Sequence, residues 1–106
     1  MIQSAVKYDV FQAIADPTRR NILQILAAND RPISNISDHF AISRTAVVKH
    51  LKILEQAELI SAEKKGREKI YTLHSERLQE IEDWLQYFHL FWDNKLVQLQ
   101  RMVEED

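Results

Sequence analysis

Residues 42–54 read Ile42-Ser43-Arg44-Thr45-Ala46-Val47-Val48-Lys49-His50-Leu51-Lys52-Ile53-Leu54, and this stretch decides the fold. Ser43 can cap a helix, because its hydroxyl accepts a backbone N–H that the first turn leaves without a partner. A helix starting there runs to about Ala57. At about 100° per residue, Val47, His50, Leu51 and Leu54 fall on one side, and Thr45, Val48, Lys49 and Lys52 on the other. Arg44 stands at the N-terminal end. Upstream, Ser34 caps a shorter helix through Phe40, with Ile36 and Phe40 at i, i+4, and Ala41-Ile42 make a tight turn. Two short helices joined by a turn of roughly three or four residues form a helix-turn-helix.

Downstream, Leu59 to Glu63 and Lys69 to Leu73 predict two strands, with Lys64-Lys65-Gly66-Arg67 between them. Ile70, Tyr71 and Thr72 suit a strand, and Gly66, the one glycine of the chain, can take positive φ at no cost. The expectation is a β-hairpin with a basic tip. Upstream, Asp16-Pro17 starts a helix: the carboxylate caps, and proline fits the first helical position, where its missing N–H costs nothing. Ile22, Leu23, Ile25 and Leu26 give this helix an inward stripe. Tyr8 to Ala15 predicts a short helix with Phe11 and Ile14 turned inward, and Pro32 ends the later loop. From Ser75 to about Glu104 a long helix is expected, since Ile81, Trp84, Leu85, Phe88, Trp92, Leu96, Leu99 and Val103 recur at spacings of three and four. The expected fold is mainly α with a small β-hairpin: a winged helix-turn-helix of about five helices plus a two-stranded wing, as one domain over residues 1–106.

The 106 residues suffice for one core, and 45% hydrophobic content favours a globular chain. Cysteine is absent, which excludes disulfides and thiolate metal sites. No apolar run approaches the ~20 residues of a membrane span, and no signal-peptide pattern opens the chain, so a cytoplasmic protein without a membrane partner is expected. An enzyme is not expected: there is no cysteine nucleophile, glycine-rich phosphate loop or Ser/His/carboxylate motif. The net charge is −2, but its distribution matters more than its sum. Residues 1–39 balance. Residues 40–74 carry seven Lys/Arg against four Glu, and residues 75–106 carry three Lys/Arg against eight Asp/Glu. The middle of the chain is a locally basic surface masked by an acidic end, and local field governs docking on a polyanion.

Four motifs in order resemble the ArsR/SmtB-type winged-helix regulators over about residues 8–75. They are Asp16-Pro17-Thr18-Arg19-Arg20, the stretch 42–54 with Ala57-Glu58-Leu59-Ile60, Lys65-Gly66-Arg67, and Ile70-Tyr71-Thr72-Leu73. The resemblance implies a homodimer that represses transcription and releases DNA on a signal. Many such regulators sense metals through a Cys-x-Cys pair, whose positions here are held by Pro32 and Ser34. A second metal site of the family, Asp-x-His with a later His pair on the C-terminal helix, is matched only by His89 and Asp93, with Glu82 and Asp83 nearby. The chain resembles the cysteine-free branch, and neither a metal nor a cofactor is expected.

A recognition helix presents its first residues to the major groove. Arg44 and Lys49 can donate to guanine O6 and N7, Thr45 to a base edge or phosphate, and Val48 can meet a thymine methyl. Lys52, further back, suits phosphate. At the hairpin, Lys64, Lys65 and Arg67 surround Gly66; Arg67 suits a narrow minor groove, whose negative potential attracts arginine. The expected DNA-facing set is therefore Ser43, Arg44, Thr45, Val48, Lys49, Lys52, Lys64, Lys65, Gly66 and Arg67, on double-stranded DNA with a near-palindromic operator. Arg19 and Arg20 are ambiguous: one can pair with an acidic residue inside the domain and the other can touch a phosphate, with structural roles favoured because they lie in the first turns of a helix that must pack. His50 is read as semi-buried. The C-terminal helix is longer than one small core requires. Trp84, Phe88, Phe91, Trp92, Leu96 and Leu99, with Phe11 of the N-terminal helix, are the expected dimer interface. Two alternatives stay open: a metal-responsive repressor using His89 and Asp93, and a winged-helix module that binds protein.

Overall fold

Three helix starts follow from three capping residues. Asp9 and Gln12 form a reciprocal capping box (2.7 and 2.9 Å), which opens α1 at Val10–Ala13. The Asp16 carboxylate accepts the Arg19 N–H at 3.1 Å, with Pro17 in the first helical position, and α2 runs Pro17–Ala28. Ser43 Oγ accepts the Ala46 N–H at 3.1 Å and opens α4, Arg44–Gln56. The computed structural model describes residues 8–104. Between α2 and α4 lie β1, Arg31–Pro32, and α3, Ile33–Asp38; after α4 come β2, Ile60–Lys65, β3, Glu68–Leu73, a 3-10 turn over Ser75–Leu78, and α5, Gln79–Glu104.

Asp16 also has an acid signature. Burial pushes its carboxyl up, but the N–H groups of Arg19 and Thr18 and the charges of His50 and Arg19 outweigh that and leave it below its ordinary 3.8. A depressed carboxylate contributes stability above its ordinary range and loses that contribution as pH falls through its folded value. Asp16→Ala is therefore expected to cost about 1 kcal/mol at neutral pH, and the gap in thermal midpoint from the parent should close below the carboxylate range.

The core gathers Val10 and Ala13 of α1, Ile22, Leu23 and Leu26 of α2, Ile36 of α3, Val47, Leu51 and Leu54 of α4, and Leu59, Ile60 and Tyr71. The hairpin turn is the two residues Gly66-Arg67, flanked by the pair Lys65↔Glu68. Gly66 has φ of 64° and Arg67 is not in the positive region, the pattern of a II′ turn whose twist matches the strands.

Five local features differ from the sequence expectations. The Asp9 cap sets the phase of α1 so that Val10 and Ala13 face inward; Phe11 is exposed and Ile14, past the helix end, is half-buried. Pro32 occupies the N-cap position of α3, which opens at Ile33. The Ser34 hydroxyl instead donates to Glu68 Oε1 at 3.2 Å. α3 ends at Asp38, so Phe40 lies beyond it. The sheet has three strands in the order β1-β3-β2, because Arg31 and Pro32 pair with Tyr71 and Ile70. An edge is where a strand tolerates proline, which has no N–H to offer. Finally, positive φ is not confined to Gly66: Glu58 has φ of 63° and ends α4 in a Schellman arrangement. Leu59 N–H bonds Leu54 O at 3.0 Å and Glu58 N–H bonds Glu55 O at 2.9 Å, with Leu54 and Leu59 both buried.

α5 is 26 residues long, about 39 Å at the usual helical rise, and buries none of them fully. The radius of gyration is 19.0 Å, whereas a compact chain of this size has about 13 Å. The difference comes from α5 extending away from the core, with only its start packed against α1.

Candidate nucleic-acid interface

On α4, Val47, Leu51 and Leu54 are fully buried and decide which side of the helix faces the core. That phase leaves Arg44, Thr45, Lys49 and Lys52 exposed, with Val48 and His50 half-buried. Ser43 is exposed, but its hydroxyl is engaged in the cap. On the wing, Lys64, Lys65, Gly66 and Arg67 are all exposed; Lys64 and Lys65 belong to β2, not to the turn.

The cations separate into two groups. Arg19 donates from Nε to Ala13 O at 2.7 Å and from Nη2 to Gln12 O at 3.2 Å. Arg20 donates to Ile14 O at 2.7 Å. Both are engaged within the domain: Arg20 by a backbone carbonyl, Arg19 by two backbone carbonyls and the His50 ring, and neither by a carboxylate. Arg31 binds Ile25 O and Asn35 Oδ1. Arg77 pairs with Glu58 at 3.2 Å and Glu80 at 3.8 Å, Lys65 pairs with Glu63 at 3.6 Å, and Lys95 lies over the Phe91 ring. By contrast, among the described residues Arg44, Lys49, Lys52, Lys64, Arg67 and Lys69 have no hydrogen-bond, ion-pair or ring partner; on α5 Arg101 has none either. Cations held this way can meet phosphates or guanine edges without breaking an internal contact.

Lys69 was not singled out from the sequence. The register sets it directly opposite Lys64, and like charges opposite one another on a sheet repel. An anion between them would relieve that repulsion. The signal was available by counting outward from the Gly66-Arg67 turn, since a two-residue turn pairs 65 with 68 and therefore 64 with 69. Lys65 projects to the other face, where Glu63 and Glu68 offset its charge.

The expected apolar surface is continuous. Phe11, Trp84, Phe88 and Trp92 form a row of rings with centroid separations of 5.5, 5.0 and 6.3 Å. Phe91, Leu96 and Leu99 are exposed beyond it. The His89 ring lies beside Trp92, His39 Nδ1 is 2.8 Å from Asn35 O, and His74 Nε2 is 2.6 Å from Ser61 Oγ. Among the described residues no three of His, Cys, Asp and Glu gather as a metal-holding group, and no helix is long and apolar enough to cross a membrane.

Residues 16–62 match the family described as bacterial regulatory protein, arsR family. The transcriptional repressor SdpR of Bacillus subtilis is 43% identical over 88 residues, covering 83% of this chain and 98% of that protein. The chain belongs to the arsR family. It is a winged helix-turn-helix regulator of transcription. An arsenical resistance operon repressor of Staphylococcus xylosus is 29% identical over 72 residues, 68% of this chain and 69% of that one. The crystal structure of an ArsR family transcriptional regulator superposes with a TM-score of 0.71 at 31% identity, covering 78% of this chain and 86% of the other. A second crystal structure, of a possible transcriptional regulator for arsenical resistance, gives 0.69 at 31% identity over 93% and 97%.

Proposed function

We propose that this arsR-family chain is a cytoplasmic repressor that binds a near-palindromic operator as a homodimer. In this reading the whole of residues 1–106 serves one DNA-binding unit. Ser43, Arg44, Thr45, Val48, Lys49 and Lys52 face the major groove, and Lys64, Lys65, Gly66 and Arg67, joined by Lys69, face the minor groove and phosphates. The observation that carries the reading is the sorting of cations: among the described residues Arg44, Lys49 and Lys52 of α4 and Lys64, Arg67 and Lys69 of the wing are left without partners, while Arg19, Arg20, Arg31 and Arg77 are engaged. Repression is supported by the names of the relatives SdpR and the arsenical resistance repressor. The dimer is supported by the exposed apolar row of α5. Genomic DNA fragments selected by the purified protein test the reading directly. A set of fragments sharing a near-palindrome is the expected result, and a random set would defeat it.

Metal is not part of the proposed response. Pro32 and Ser34 lack soft ligands, and the Ser34 hydroxyl is engaged with Glu68. Affinity for a selected fragment is expected to be equal in EDTA and in micromolar zinc. A shift of about tenfold, the size of an ordinary allosteric coupling, that vanished in His89→Ala would favour a metal-responsive repressor.

A further inference from the structure

One side chain links the helix that reads DNA to the helix that packs on α5. Arg19 closes the C-terminal end of α1 by donating to Ala13 O at 2.7 Å and Gln12 O at 3.2 Å. Its remaining nitrogen, Nη1, lies 3.3 Å from Nδ1 of His50 on α4. A guanidinium only donates, so in the neutral ring Nδ1 accepts and the proton sits on Nε2. On its far side, α1 rests through Phe11 edge-on against Trp84 of α5, 5.5 Å between centroids. The contacts therefore run Trp84, Phe11, the end of α1, Arg19, His50 and α4. His50 stands between exposed Lys49 and buried Leu51, so a small rotation of α4 about its core face moves Lys49 sideways.

We propose that Arg19 is a positioning residue for DNA reading: through His50 it sets the rotation of α4 relative to α1, and through α1 relative to the aromatic row of α5. Arg19 itself touches no DNA. The task needs the planar fork, because three acceptors on two elements are satisfied at once; a lysine carries the charge but cannot reproduce the geometry. The proposal rests on α4 being the helix that reads sequence.

The test uses the full chain and the variants His50→Phe, His50→Asn, Arg19→Lys and Lys49→Ala. Three quantities are measured: thermal midpoint, the tautomer of His50 by long-range nitrogen–proton NMR, and affinity for a selected fragment against random duplex of equal length. The parent should show His50 protonated on Nε2 alone. His50→Phe should lower the preference for the selected fragment about five- to tenfold, the net scale of one lost hydrogen bond, with random-duplex binding unchanged. His50→Asn, whose Oδ1 falls near the place of Nδ1, should recover most of that preference. Arg19→Lys should behave like His50→Phe despite its retained charge. A lowered thermal midpoint with the preference intact would mark a merely structural bond and overturn the proposal, as would a proton on Nδ1 in the parent. If Lys49→Ala also kept full preference, the reading of α4 would fail and take this proposal with it. A loss in Lys49→Ala beside none in His50→Phe would overturn the positioning role alone.

Discussion

Leu96→Glu combined with Leu99→Glu is expected to leave a folded monomer. Both leucines are more than half exposed in the single chain, at 63% and 58%, so neither substitution removes a core contact or lowers the cooperativity of unfolding. Their proposed role is in the two-fold interface, where each appears once per subunit. A fully buried leucine contributes about 1.5–3 kcal/mol, so the loss should weaken self-association by about a hundredfold or more. Sedimentation equilibrium at micromolar concentration should report twice 12.5 kDa for the parent and 12.5 kDa for the variant. DNA affinity should fall with it, because two recognition helices can no longer engage half-sites about 10 bp apart at once. A double variant that stayed dimeric would remove α5 from the interface. A parent that was monomeric and protected one short half-site would remove the dimer itself.

The parts of the fold that sequence made legible are those fixed by a local rule. Ser43 and Asp16 each place a cap, and Val47, Leu51 and Leu54 set the face of α4 by spacing alone. Gly66 sits in a hairpin turn that calls for positive φ. What escaped is set by partners distant in the chain. Arg31 and Pro32 carry no strand signal in two residues and become a strand only because β3 offers them an edge. Ser34 looks like a cap, yet its hydroxyl finds Glu68, and Pro32 already supplies the extended backbone that opens α3. Glu58 holds a conformation that favours glycine, stabilised by burial of Leu54 and Leu59 around it and by the Arg77 ion pair. In α1 the misplaced inward face has a local cause: Asp9 and Gln12 spell a capping box that fixes the phase, and reading it would have put Phe11 outside. The candidate site was legible as a basic surface. Which cations are free within it was not, because Glu63 reaches Lys65 and Glu68 stands opposite Lys65, while neither pairs with Lys64 or Lys69, and that depends on strand alternation and register.

The second large effect separates the two basic elements by what each does to sequence preference. Arg44→Ala and Lys49→Ala are expected to cost about 1–3 kcal/mol on a selected fragment and much less on random duplex, because a bidentate base contact discriminates between sequences. Arg67→Ala and Lys64→Ala should weaken both kinds of DNA more evenly, with the salt dependence falling by about one counterion per lost phosphate contact. None of the four side chains has a partner among the described residues, so truncation leaves no orphaned group there and thermal midpoints without DNA should move little. Lys64→Ala carries a further sign. It removes the repulsion with Lys69 across the hairpin, so the free protein should be slightly more stable while its DNA complex is weaker. A structural lysine would move both in the same direction. If Arg67→Ala relaxed sequence preference while Lys49→Ala reduced all binding uniformly, the wing would be the reader and α4 the anchor. If none of the four changed DNA binding, the free cations of α4 and the wing would be an ordinary solvated surface, and a protein partner would take the place proposed for DNA.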